Sequence, residues 1–130
     1  MKVKCRKIIS PISKEDLGEQ SSWLKRNNEY VVLALAINSK FGMEIYIQTE
    51  HHNEPAAFSI EGFEIISQLI PSNWAMISKN VGDESFVKYI PKSWDYEEFF
   101  EEIADEKPIA LDLFHQEARK IYAEEGIELA

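Results

Sequence analysis

Two apolar segments flanking a turn constrain this chain more than anything else in it. Val31 to Ile37 is an unbroken apolar run, and Met43 to Thr49 alternates apolar with polar residues. Between them, Asn38-Ser39-Lys40-Phe41-Gly42 has the composition of a turn. A short continuous apolar run bounded by turn residues reads as a strand buried on both faces; alternation reads as a strand with two unlike faces. Together they predict a β-hairpin. Side chains along a strand point to opposite faces in turn. Met43, Ile45 and Ile47 therefore join Val31, Leu33, Leu35 and Ile37 on a core side. Ala34 and Ala36 share the other side with Glu44, Tyr46 and Gln48. Such small residues either admit a closely packed neighbour or form a shallow outer surface.

More strands are expected around the hairpin. Val3 to Ile9 precedes Pro11, and Ser13 to Gly18 is polar, a helical turn or a loop. Ala57-Phe58-Ser59 is a short strand, and Gly62 to Ser67 is either a strand or one or two helical turns. Trp74 to Ser78 and Phe86 to Ile90 are strand candidates separated by a turn at Gly82, the second ended by Pro91. Two helices finish the chain. Tyr96, Phe99, Phe100 and Ile103 fall on one helical stripe, with Asp95 as a cap and Glu98 three residues on, as in a capping box. Pro108 opens the second helix, Leu111, Phe114, Ala118, Ile121 and Tyr122 form its stripe, and Gly126 suits its C-terminal cap. Strands first and helices last predict an α+β fold: a mostly antiparallel sheet with two C-terminal helices packed on one face.

The length, 130 residues, suits a single domain, sheet-forming to about residue 91 and helical over about 93–126. A lone Cys5 permits no internal disulfide and suits a reducing compartment. The basic start, Met1 to Lys7, is followed by Ile8-Ile9-Ser10-Pro11 and polar residues, without the apolar stretch a signal peptide needs. No apolar run approaches the roughly 20 residues of a membrane-spanning helix. The expectation is a soluble cytoplasmic protein with no membrane partner.

Charge is distributed unevenly. Asp83 to Ala130 contains 14 acidic and 5 basic residues, whereas Met1 to Gly82 contains 9 of each. The formal net charge of -9 thus belongs to the C-terminal third. Such a field attracts basic partners and repels nucleic acid. Glu97, Glu98, Glu101, Glu102, Asp105 and Glu106 all avoid the apolar stripe of their helix. They form either a solvated face that keeps the protein in solution or a docking surface for a basic protein. Catalysis by them is not expected, because paired acid–base work needs two carboxyls in unlike, partly buried settings. Glu97, Glu98, Glu101, Glu102 and Asp105 are the candidate partner-binding residues.

Other constellations carry less. His51-His52-Asn53-Glu54 and the distant His115 match no zinc spacing, and adjacent histidines in an extended segment point to opposite faces. Cys5 has basic neighbours but no histidine nearby in sequence, so it reads as a small core residue rather than a nucleophile. Lys2, Lys4, Arg6 and Lys7 lack interleaved aromatics and make a poor nucleic-acid footprint. The five glycines form no phosphate loop, and no serine sits in a nucleophile elbow. No cofactor, metal or catalytic residue is expected. The tryptophans are Trp23, Trp74 and Trp94; the last two sit in echoing phrases, Ile70-Pro71-Ser72-Asn73-Trp74 and Ile90-Pro91-Lys92-Ser93-Trp94. They close over a core at two junctions, or they line an aromatic ligand pocket with Glu44 and Tyr46. That pocket is the alternative, a small-ligand protein or enzyme; a plain structural or assembly module is a third possibility.

Pro55-Ala56-Ala57-Phe58, Phe63-Glu64-Ile65-Ile66, Ile70-Pro71-Ser72-Asn73-Trp74 and the Pro91 to Trp94 junction into an acidic, aromatic helix resemble small acidic bacterial proteins. In size and acidity these are similar to the immunity proteins of polymorphic-toxin and contact-dependent inhibition systems. The resemblance covers Tyr30 to Tyr122, and its motifs are structural, so it assigns no functional residue. It implies stoichiometric binding that blocks a cognate toxin, commonly a basic nuclease.

Overall fold

The computed structural model describes residues 1–8, 24–40, 42–49 and 55–127. Eight strands come first: Lys2–Cys5 (β1), Glu29–Val31 (β2), Ala34–Asn38 (β3), Gly42–Gln48 (β4), Pro55–Ser59 (β5), Phe63–Ser67 (β6), Trp74–Val81 (β7) and Glu84–Pro91 (β8). The helices Phe99–Ala104 (α1) and Pro108–Glu124 (α2) follow. The strands form two antiparallel sheets, one ordered β2-β1-β6 and the other β5-β4-β3-β8-β7. The fold is α+β, as the order of elements predicts. Of the two alternatives for Gly62 to Ser67 the strand is the one formed, as β6, with a 3₁₀ turn over Ile60–Gly62 leading into it.

The apolar run Val31 to Ile37 is buried on both faces through Leu35, but it is not one strand. β2 ends at Val31 in the smaller sheet and β3 begins at Ala34 in the larger. Val32 and Leu33 carry the chain across. The Val32 amide donates to the Met1 carbonyl at 2.9 Å, and the Leu33 amide donates to the Tyr46 carbonyl at 2.8 Å. The Leu33 carbonyl accepts the Trp74 indole N–H at 2.9 Å. The crossover leaves the Leu33 backbone paired, as a buried peptide group requires.

The break explains why the whole run is apolar. Val31, Leu33 and Ala34 belong to a core beneath the helices, with Ile90, Trp94, Phe99, Ile103, Phe114 and Ile121. Tyr30, Val32 and Leu35 belong to a second core, between the sheets, with Val3, Cys5, Ile45 and Ile47. The register Ala34↔Tyr46, Leu35↔Ile45 and Ala36↔Glu44 keeps Leu35 with Ile45 and Ala34 with Tyr46, as expected. Val31 and Leu33, however, leave the expected face of Leu35 for the core beneath the helices, because the crossover breaks the alternation. Ile37 departs from its face's pattern and is 37% exposed. The side holding Ala34 receives the helices: the Tyr46 ring stacks on Phe100 with centroids 4.8 Å apart and planes 11° apart. Ala34 therefore admits a neighbour, whereas Ala36 lines an open groove. Each fully buried aliphatic or aromatic side chain here stabilises the fold by about 1.5–3 kcal/mol.

The first helix differs from its expected form. α1 has six residues, and neither Asp95 nor Glu98 makes the capping box. Asp95 instead closes a 3₁₀ turn over Lys92–Trp94 and lies 3.9 Å from the Lys79 ammonium. Glu98 takes the N-cap position with no side-chain hydrogen bond. The cause is Trp94. Its ring is buried against Phe99 and Phe114, with centroids 5.4 and 5.2 Å away, and its N–H donates to the Leu113 carbonyl of α2 at 3.0 Å. The chain turns inward to seat the indole, so helical geometry starts only at Phe99. Tyr96, expected on the buried stripe, is 36% exposed.

The second helix follows its pattern. Pro108 stands in the first turn, and Ala110, Phe114, Ala118 and Ile121 are buried, flanked by half-buried Leu111 and Tyr122. Gly126, at φ 79°, closes it with the Ile127 amide on the Tyr122 carbonyl and its own amide on Ala123. A left-handed residue at this position is the usual helix stop, and glycine adopts it without strain.

Candidate functional site

The acidic stretch is not a single helix face. Glu97 and Glu98 lie in the turn before α1, Glu101 and Glu102 on it, and Asp105 just after it. All are exposed except half-buried Glu102, which accepts the Tyr96 hydroxyl at 2.9 Å. Desolvation and then the Glu102 carboxylate raise the Tyr96 phenol above its ordinary value, so it stays a donor. Backbone bonds from Glu102 to Glu98 and from Asp105 to Glu101 place each pair of carboxylates one helical turn apart. Like charges at that spacing destabilise a helix by about 0.2–0.5 kcal/mol per pair. Among the described residues none of these five carboxylates is in an ion pair, although Lys107 shares a groove wall with Glu102. Some acidic residues elsewhere are paired, Glu29 with Lys2, Glu64 with Arg6, Glu84 with Lys40 and Glu117 with Lys120. Glu106, next in the stretch, sits at φ 56°, where a non-glycine residue is strained.

Beside these carboxylates runs a groove of about 520 Å³ lined by Tyr96, Glu102, Lys107, Pro108, Ile109 and Leu113. Its walls are largely apolar, and Ile109 is 76% exposed. Glu102 belongs to both the groove and the acidic stretch, and Tyr96, its hydrogen-bond partner, lines the groove beside it, so the two form one continuous surface. The groove was not legible as such in the sequence. One signal was present: Ile109 stands off the buried stripe of its helix, an isoleucine with no core to enter.

The alternative pocket does not assemble. Glu44 and Tyr46 do line one groove, of about 360 Å³, with Ala36, Asn38, Gly42, Glu84, Phe86 and Lys88. Trp74 and Trp94 are elsewhere. Trp94 is 1% exposed and belongs to the core under the helices. Trp74 is half-buried 6.3 Å from Tyr89, its N–H spent on the strand crossover. Both indoles thus tie a junction to a distant backbone carbonyl, which is the packing role. Burial and then the Glu44 charge raise the Tyr46 phenol above its ordinary value.

The remaining candidates are structural where described. Cys5 is fully buried, its Sγ 3.7 Å from the Lys7 carbonyl. Lys2 and Arg6 are held in ion pairs with Glu29 and Glu64 on neighbouring strands. His115 is exposed on α2, its ring edge-on to Phe114. His51, His52, Asn53, Glu54, Pro11, Trp23 and the segment 13–18 lie outside the described residues. Among those described, no three His, Cys, Asp or Glu side chains are grouped as a metal site. Nor is any helix among them long and apolar enough to cross a membrane. No family model, curated protein or solved structure matches the chain.

Proposed function

We propose that the chain is a non-catalytic binding protein of the immunity type, which docks on a basic bacterial toxin in the cytoplasm and blocks it stoichiometrically. The observation that carries this is the unpaired run of carboxylates, Glu97, Glu98, Glu101, Glu102 and Asp105, set against an apolar groove. Unpaired charge also serves solubility, but solubility does not account for an apolar groove set beside it. A docking face gains from the charge: a concentrated field speeds association with an oppositely charged partner by about 10- to 1000-fold. A basic nuclease fits the charge, and the same field disfavours nucleic acid as the direct ligand. The small-ligand alternative is weakened by the dispersal of its two tryptophans.

The test is kinetic, using a purified basic toxin captured from the host as the partner, with the product of the neighbouring gene as the first candidate. Association should slow steeply as salt screens the field, with dissociation little changed. Glu98→Lys with Glu101→Lys should cut the association rate about tenfold or more at low salt. Absence of a complex, or a complex indifferent to both salt and charge reversal, rules the proposal out.

A further inference from the structure

We infer that the groove between the two helices receives a bulky apolar side chain of the basic partner, carried in a segment with lysine or arginine on either side. The inference rests on the acidic docking surface proposed above and adds what the partner must present. Stable interfaces have an apolar centre, where a few anchors set the residence time, and a polar rim that excludes water. Here Ile109, Tyr96, Pro108 and Leu113 supply the centre. Glu97, Glu98, Glu101 and Asp105 are exposed on the adjoining segment, and Glu102 lies on the groove wall itself. The volume, about 520 Å³, lies within the roughly 300–1,000 Å³ of ordinary ligand pockets. Lys107 is the one cation on the wall, and its aliphatic stem can lie along an apolar guest while its ammonium stays in water. Ile109, 76% exposed, and Tyr96, 36% exposed, are the apolar surfaces this groove offers to a guest. The excess of carboxylates over the single Lys107 sets the sign of the guest's flanks.

The probe is a pair of short synthetic peptides: a tryptophan flanked by arginines, and the same peptide with alanine at that place. Both are titrated into the intact protein at low and high salt and followed by NMR. The tryptophan peptide should bind about tenfold or more tightly than the alanine peptide and shift the signals of Tyr96, Ile109 and Leu113. Ile109→Gln should erase that advantage without altering the melting temperature, since the residue is exposed. If the two peptides bind equally and both weaken with salt, the groove inference is overturned while acidic docking stands. If neither shows salt-dependent binding, both are withdrawn. If the free protein forms a dimer that Ile109→Gln dissolves, the groove belongs to a second copy and the inference is again overturned.

Discussion

Glu106 and Glu125 show how differently one residue type behaves along this chain. Glu106 holds a left-handed backbone at the end of α1, a position glycine fills without strain. Glu106→Gly should stabilise the protein by about 0.5–1 kcal/mol, read as a higher denaturation midpoint. Glu125 is half-buried, 2.6 Å from the Met1 amino group and 2.9 Å from the Ser67 hydroxyl. Burial pushes its carboxyl up, but the amino group, Ser67 and Lys2 outweigh burial and hold it below the usual carboxylate value. A depressed carboxylate stabilises the fold fully above its unfolded pKa and loses that effect as pH falls through the folded value. Glu125→Gln should therefore cost about 1–2 kcal/mol near neutral pH, and the gap to the unaltered protein should close on acidification below the usual carboxylate range. Thermal melts of both proteins across that range check it. Nothing local in the sequence marks Glu125 as half-buried, because its partners lie across the fold at Met1 and Ser67.

At the scale of elements, α1 sets stability against function. Glu101→Lys places a cation one helical turn from Asp105 and removes a like-charge pair. It should raise stability by about 0.3–1 kcal/mol while slowing association with a basic partner. A loss of both properties would mean that Glu101 has a structural role the present contacts do not reveal. Trp94 is the element's anchor. Trp94→Phe leaves the ring stack but removes the bond to the Leu113 carbonyl and part of the ring volume, for a loss of about 1–3 kcal/mol by denaturant titration. The helical stripe Phe99, Phe100 and Ile103 was legible because it is a local, periodic signal. The start of α1 was not, because Asp95 and Glu98 satisfy the capping pattern while a tertiary contact, the burial of Trp94, decides where the chain becomes helical. The same holds for Tyr96, whose spacing puts it on the stripe and whose turn carries it to the groove.

For the whole molecule, the larger sheet is covered on both faces, by the smaller sheet on one and by the helices on the other. The acidic stretch lies on the outer layer, and of the basic residues at the start of the chain Lys2 and Arg6 are held in ion pairs with Glu29 of β2 and Glu64 of β6. The sequence by itself determined the strands and the alternating faces of β4, the order of strands before helices, the stop at Gly126 and the crowding of negative charge toward the C-terminus. Each of these is a local property, set by side-chain period, backbone restriction or composition. Only the tertiary structure decided that Val31 to Ile37 splits between two sheets, that Trp94 enters the core while Trp74 braces the crossover, and that Tyr96 and Ile109 meet in a groove beside unpaired carboxylates. Those outcomes depend on which distant backbone carbonyls accept the two indoles and on which faces compete for burial, and no local period along the chain records either.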